Sequence, residues 1–231
     1  MNKFKIALAA AGLALASTGA SAAIVNLEGD TVWFSFDTDY TNPLFGSYKV
    51  DGDTLSFSPN SFVAETGHSG IVNRSATTDL INVTSKSGYV LSEISLFEQG
   101  DYYRVEETAN NTLVRVQGQL IVNDVANSIH TIDPLDVAIS TDDYFDPDYV
   151  AETTTWNAES FGDAGWAETA TVKVQNILNA GIRSDNGVNY AFIEKKLMNI
   201  TAWTAPVPVP GAFWLFGSAL TGILVSRRRT A

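Results

Sequence analysis

The stretch TLVRVQGQLIV, from Thr112 to Val122, carries the clearest indication of the fold. Its apolar residues alternate with the polar Arg115, Gln117 and Gln119 with a period of about two residues. This is the period of a β-strand that buries one of its faces. Gly118 interrupts the alternation, and we interpret it as a candidate β-bulge.

Short runs rich in β-branched and aromatic residues continue in both directions from this stretch, and they predict further strands. They are Thr31–Phe36, Ser47–Val50, Thr54–Ser58, Asp79–Thr84, Tyr89–Phe97, Tyr102–Thr108, Ala170–Ile177 and Val188–Ile200. Two turn signals, Asp51-Gly52-Asp53 and Ser184-Asp185-Asn186-Gly187, predict tight hairpins. No helix longer than two turns is indicated before Pro206. The sequence therefore predicts an all-β domain over residues 23–205, an antiparallel β-sandwich of jelly-roll type or similar.

Composition excludes several classes of site. The 231 residues include no cysteine, which excludes disulfides, thiolate zinc sites and cysteine nucleophiles. They include two histidines. The formal charge is −12, and residues 24–205 alone hold nine basic and 26 acidic residues. Such an acidic domain lacks the clustered cations that nucleic-acid binding requires, so we expect no nucleic-acid partner.

The first 22 residues have the pattern of a secretory signal peptide. Lys3 and Lys5 precede the apolar run Ile6–Ala16, which as a helix would reach about 16 Å and is too short to span a bilayer. Ala20 and Ala22 form the small-x-small pattern that signal peptidase requires. We therefore expect a signal helix at 1–22, cleavage after Ala22 and export of the domain that follows.

A second apolar segment lies at the other end, in residues 206–231. Pro208 and Pro210 precede sixteen uncharged residues, 211–226, which would form a helix of about 24 Å. Arg227, Arg228 and Arg229 follow immediately and should remain on the cytoplasmic side of the membrane. We expect a transmembrane helix at 211–226 that tethers the exported domain.

The Pro-x-Pro step, the short apolar helix and the terminal arginine cluster resemble the PEP-CTERM sorting signal of Gram-negative bacteria. The resemblance covers Pro206–Arg229, with Val209 where the motif that names the family has glutamate. It implies an exosortase-type processing enzyme as partner. It also implies an inner-membrane tether with the domain in the periplasm, followed by delivery to the cell surface or an exopolysaccharide matrix. It implies nothing about the residues before the tail.

One acidic segment is a weak candidate for a calcium site. The stretch TDDYFDPDYVAE, residues 141–152, places four carboxylates in seven residues, and Ca²⁺ prefers oxygen ligands. They are Asp142, Asp143, Asp146 and Asp148. Their spacing is not that of a calcium loop, and no glycine provides its sharp turn. A solvated acidic loop is the alternative, so no cofactor is predicted beyond this weak candidate.

The same region offers a candidate for sugar binding. Aromatic side chains stand among glycines and acidic residues without strand-like alternation between Tyr144 and Trp166, and Trp156 and Trp166 are the candidates for stacking on sugar rings. The alternative is a long loop that folds over the sandwich and buries its aromatic residues.

The catalytic signals are weak. His68 and Ser69 are adjacent, so on an extended chain they would point to opposite faces, and a turn is the better interpretation of Gly67–Gly70. No catalytic residues are therefore predicted. Our hypothesis is an exported surface or matrix protein with a structural or interaction role linked to exopolysaccharide. A carbohydrate-binding module is the alternative, and a polysaccharide-acting enzyme is the second alternative.

Overall fold

A computed structural model describes residues 23–107, 110–124, 126–139 and 154–207. Its strands are β1 (Ile24–Glu28), β2 (Val32–Asp37), β3 (Ser47–Asp51), β4 (Thr54–Ser58), β5 (Val63–Thr66), β6 (Gly70–Thr77), β7 (Ile81–Ser85), β8 (Tyr89–Glu106), β9 (Thr112–Asp124), β10 (Ile129–Pro134), β11 (Asp136–Ala138), β12 (Thr154–Ala167), β13 (Thr169–Ile182) and β14 (Asn189–Pro206). A single 3-10 turn, Pro43–Phe45, is the only helical element in the described part of the chain.

The strands form two sheets, and every pairing in them is antiparallel. Sheet A has the order β1-β2-β7-β13-β9-β10, and β6 pairs with part of β13. Sheet B has the order β11-β12-β8-β14-β4-β3, and β5 pairs with part of β14. One hydrophobic core takes residues from both sheets, so the prediction of an all-β, sandwich-like domain is confirmed.

The core forms where each strand turns its alternate residues toward the other sheet. Sheet A contributes Phe34, Val122 and Leu178, and sheet B contributes Leu96 and Ile200, all at most 1% exposed. Burial of aliphatic and aromatic side chains of this size contributes about 1.5–3 kcal/mol each. A chain without disulfides depends on such a core for its stability.

The hairpin at Asp51-Gly52-Asp53 is confirmed, because Asp51 pairs with Thr54 across a two-residue turn. The hairpin predicted at residues 184–187 is wrong. Its flanking strands β13 and β14 belong to different sheets, so these residues cross from one sheet to the other. The runs predicted as separate strands at Tyr89–Phe97 and Tyr102–Thr108 are joined in the single strand β8, which ends at Glu106.

Gly118 is not a bulge, since it pairs in regular register with Asn176 of β13. It is required for space instead. A Cβ atom on Gly118 would lie 2.7 Å from Asn176 Nδ2 and 2.4 Å from the Gln175 carbonyl oxygen. The glycine therefore leaves room for a buried amide on the neighbouring strand.

The segment that we interpreted as an aromatic loop continues as strand β12 from Thr154. Its inward positions include Ala158, Ser160, Gly162 and Ala164, which carry little apolar surface. A period-two search on hydrophobicity therefore finds no alternation there. The small residues are needed because the sheets approach closely: a Cβ on Gly162 would lie 2.4 Å from Val122 Cγ2.

Several predictions fall on residues that the structure does not describe. They concern Ala20, Ala22, the four aspartates of 142–148, Pro208, Pro210, the helix 211–226 and Arg227–Arg229. Across residues 23–107, 110–124, 126–139 and 154–207, no helix has the length and apolar character needed to cross a bilayer.

Candidate functional site

A surface groove beside Trp166 is the best candidate for a binding site. Its volume is about 520 Å³. It is lined by Asn123, Ala126, Asn127 and the run from Trp166 to Thr171. These residues come from the ends of β9, β12 and β13 and from the turn after β9, so rigid strands position the groove.

Trp166 is presented to solvent by an irregular backbone. Its φ is +59°, and the preceding Gly165 has φ of +67°. The pairing of β12 with β8 shifts register between Asp163 and Ala167, and this irregularity turns the indole outward, where it is 65% exposed. A left-handed conformation at a residue other than glycine costs on the order of 1 kcal/mol, and such strain often marks functional positions.

Side chains on both sides of the irregularity hold this conformation. Asp163 Oδ1 accepts a hydrogen bond from the Gly165 N–H at 2.8 Å. The Asn127 side-chain amide donates to the Gly165 carbonyl at 3.2 Å. In turn, Asp124 accepts hydrogen bonds from the backbone N–H groups of Ala126 and Asn127, which fixes the turn after β9. The exposed indole therefore stands on a hydrogen-bonded frame.

The groove combines an aromatic face with hydroxyl, amide and carboxylate groups. Asn123 donates from its side-chain amide to the Thr171 hydroxyl at 3.5 Å, and its side-chain oxygen also lies against His130 Nδ1. Glu168 and Thr169 are exposed along the same wall. An indole beside such groups suits a ligand with one apolar face and many hydroxyl groups.

The structure separates the two tryptophans that the sequence suggested for stacking. Trp166 is exposed and lines the groove, as a stacking residue must be. Trp156 is fully buried, and its indole N–H donates to the Glu194 carbonyl oxygen at 3.0 Å. The hypothesis of an exposed Trp156 is therefore wrong, because its position on β12 faces the other sheet.

A second aromatic group lies on sheet B. Tyr103 stacks on Tyr190 and Phe192 with ring centroids 5.2 Å and 5.1 Å apart. These are centroid distances of offset stacked rings. Partial burial and a hydrogen bond to Glu65 raise the pKa of the Tyr190 hydroxyl.

His68 and Ser69 lie in the connection between β5 and β6, so the predicted turn is confirmed for residues 67–69. The Ser69 hydroxyl donates to Asp185 Oδ2 at 2.7 Å, and its N–H donates to the same carboxylate. These bonds, together with the nearby His68, hold the pKa of Asp185 below its ordinary value. The Asp185 carboxylate thus links the connection between β13 and β14 to the connection between β5 and β6.

The described residues contain no group of three or more histidine, aspartate and glutamate side chains that could hold a metal ion. Of the groove residues, the sequence suggested Trp166 alone, as an aromatic side chain among glycines and acidic residues. Asn123, Asn127 and Glu168 come together only through the pairing of β9, β12 and β13 in the two sheets. Comparisons with protein-family models, with curated proteins and with solved structures give no match to this chain.

Proposed function

We propose that this chain is an exported protein of the cell surface or extracellular matrix whose domain binds a polysaccharide. The observation that carries the binding role is Trp166, an indole held exposed by a strained and hydrogen-bonded backbone beside a polar groove. The role is one of structure or interaction, with the carbohydrate-binding module as its specific form. Jelly-roll topology for the sandwich is part of the proposal.

The charge of the domain favours a neutral ligand. Residues 24–205 carry a net charge of −17, and Glu168 itself lines the groove. An anionic polysaccharide would be repelled by this field, whereas a neutral one would be accepted. Aromatic stacking together with hydrogen bonds to hydroxyl groups then provides the affinity.

Replacing Trp166 by alanine is expected to weaken binding of a neutral polysaccharide by at least about tenfold, the effect of losing an aromatic hot spot. Affinity gel electrophoresis with hydroxyethylcellulose, dextran and alginate in the gel measures this, and alginate is expected to cause no retardation.

Trp203 offers a matched control, because it is 54% exposed on β14, which β8 separates from β12 in sheet B, and it does not line the groove. Trp203→Ala should migrate like the wild type in every gel. Two results would show that the groove is not a polysaccharide site. In one, no polysaccharide retards the wild type. In the other, every polysaccharide that retards the wild type retards Trp166→Ala equally.

The proposal also includes the route by which the protein reaches its site. A signal peptide at 1–22 would direct export. The tail 206–231 would tether the domain through helix 211–226 until an exosortase-type enzyme processes it. Pro208 and Pro210 support this, because proline has no backbone N–H with which to continue a strand or a regular helix, and an extended segment is one that an enzyme could bind.

Replacing Arg227, Arg228 and Arg229 together by glutamate should impair anchoring and sorting, because these cations resist translocation and set the orientation of the helix. The measurement is fractionation of cells that contain an exosortase, followed by detection of full-length and shortened species in membrane and medium. A chain that ends at Ala205 is the untethered reference. Equal fractionation of the triple variant and the wild type would contradict the role given to the arginines.

A further inference from the structure

The core between the sheets contains three polar side chains whose chemistry the proposed function does not use. Lys195 of β14 and Glu98 of β8 form an ion pair in which both side chains are fully buried. Asn176 of β13, in the opposite sheet, is 1% exposed and donates from Nδ2 to Glu98 Oε2 at 3.0 Å. Lys195 Nζ donates to the same oxygen atom.

The surroundings of this group include two buried aromatic rings. The rings of Phe62 and Trp156 lie with their centroids 5.5 Å and 5.8 Å from Lys195 Nζ, and both residues are fully buried. Such a site disfavours charge, and burial lowers the pKa of the Lys195 ammonium group even though Glu98 opposes the shift. Transfer of one proton from Lys195 to Glu98 makes both groups neutral.

We propose that Lys195 and Asn176 become joined by an intramolecular isopeptide bond, formed by the protein itself with Glu98 as the catalytic residue. The geometry holds both side chains at one carboxylate oxygen, and two nitrogen atoms that are hydrogen-bonded to the same oxygen lie at most about 6 Å apart. Held reactants of this kind gain a large effective concentration over free ones.

The span between the sheets fits the bond. Facing sheets pack about 10 Å apart. An extended lysine reaches about 6 Å from Cα to Nζ, an asparagine about 2.5 Å from Cα to Cγ, and the new amide bond adds about 1.3 Å. The sum of these three lengths matches that typical spacing between sheets. It would link β14 of sheet B to β13 of sheet A.

Two polar atoms of the unreacted group lack hydrogen-bond partners, and this agrees with the proposed reaction. Glu98 Oε1 and Asn176 Oδ1 are both buried without a hydrogen-bond partner. Rotation of the Asn176 amide by half a turn places Oδ1 3.0 Å from Glu98 Oε2, where a proton on Glu98 donates to it. That hydrogen bond polarises the carbonyl group that the lysine attacks.

The reaction balances without any other reagent. Lys195 first gives one proton to Glu98. The neutral amine then attacks Asn176 Cγ as Glu98 protonates Oδ1, which forms the Nζ–Cγ bond of a tetrahedral intermediate. Glu98 takes one proton from Nζ and delivers it to Nδ2. The Cγ–Nδ2 bond breaks, ammonia leaves, and the proton on Oδ1 returns to Glu98. The products are an amide, ammonia and a neutral carboxylic acid, with no change in oxidation state.

Two glycines border the reacting groups and leave the space they need. Gly118 pairs with Asn176, and a Cβ there would lie 2.7 Å from Asn176 Nδ2. Gly100 pairs with both Lys195 and Trp156, and a Cβ there would lie 2.7 Å from the indole. The register of β14 shifts directly after Lys195, between that residue and Leu197.

Peptide mapping of the full-length wild-type chain tests the proposal without any variant. Trypsin releases residues 174–183 and 184–195 separately if no bond exists. The bond instead blocks cleavage after Lys195 and gives a branched peptide of 174–183 and 184–196. Its mass is lower than the sum of its two parts by about 17 Da, the mass of ammonia. Fragment ions that begin at both Val174 and Ser184 identify the branch.

Matched variants sharpen the result. Lys195→Arg should abolish the branched peptide, whereas Lys196→Arg, at the exposed neighbouring lysine, should retain it. Asn176→Asp should give a branched product of the same mass as the wild-type product, because an aspartate releases water in place of ammonia. Glu98→Gln should reduce the yield at least tenfold.

Two results overturn the proposal. One is recovery of only the separate peptides from the folded wild-type chain. The other is a mass loss confined to peptide 174–183, which reports cyclisation of an asparagine without any lysine.

Discussion

Replacing Gly100 by alanine is expected to lower the free energy of unfolding by about 3 kcal/mol or more, the upper range for adding atoms to a packed core. A Cβ at Gly100 would lie 1.8 Å from the Glu194 carbonyl oxygen and 2.7 Å from Cε2 and Nε1 of the Trp156 indole. The carbonyl belongs to the backbone of β14 and also accepts the indole N–H bond, so neither neighbour can move independently.

Urea denaturation of the wild type and of Gly100→Ala measures this change. Gly67→Ala is the control, because its Cβ would meet only Tyr190 Cδ2 at an ordinary 3.7 Å. It should unfold close to the wild-type midpoint. Equal midpoints for the two alanine variants would show that β8 and β14 adjust at Gly100 without cost.

Relative to a chain that keeps the unreacted ion pair, replacing Lys195 by methionine is expected to destabilise the domain by about 3–5 kcal/mol, since removal of one partner leaves a buried carboxylate without its counter-charge. Adding Glu98→Gln to this variant should recover a large part of the loss. The glutamine is neutral and retains an oxygen to accept the Asn176 amide. Because neither variant can form the proposed isopeptide bond, the difference between them reports the buried charge alone.

The same denaturation experiment on Lys196→Met provides the reference for a surface lysine. Lys196 pairs with Asp101 and Glu194 but its side chain is 53% exposed, so solvent screens these pairs and its loss should leave the unfolding midpoint close to that of the wild type. If the double variant Lys195→Met, Glu98→Gln is no more stable than Lys195→Met, the unpaired Glu98 carboxylate does not destabilise the domain.

Strands whose buried face carries large apolar residues could be predicted from the sequence. The predicted run at Thr54–Ser58 matches β4, and the run at Thr112–Val122 falls within β9. Strand β12 could not be predicted, because its inward residues are mostly small and its large aromatic Phe161 points outward. Hydrophobic periodicity detects a strand only when its buried side chains are large and apolar. In β12 the close packing of the two sheets requires small side chains.

The sequence patterns of β8 and β13 do indicate the buried polar residues Glu98 and Asn176. Glu98 occupies the inward position after Ile94 and Leu96, and Asn176 occupies the inward position after Val172 and Val174. A polar residue on the buried face of an otherwise apolar alternation is unusual. That the two meet Lys195 could not be predicted, because it depends on which strands face each other across the sandwich.

The pairing of β14 with β8 determines how the domain would bear tension applied at its carboxyl end. The pairs run from Asn189 with Glu106 to Pro206 with Tyr89, and Pro206 leads directly toward the tail. The hydrogen bonds of an antiparallel pair lie perpendicular to the strands. A pull along β14 therefore loads many of these bonds together in shear and does not open them one at a time. Peeling would begin instead from a short edge strand such as β11.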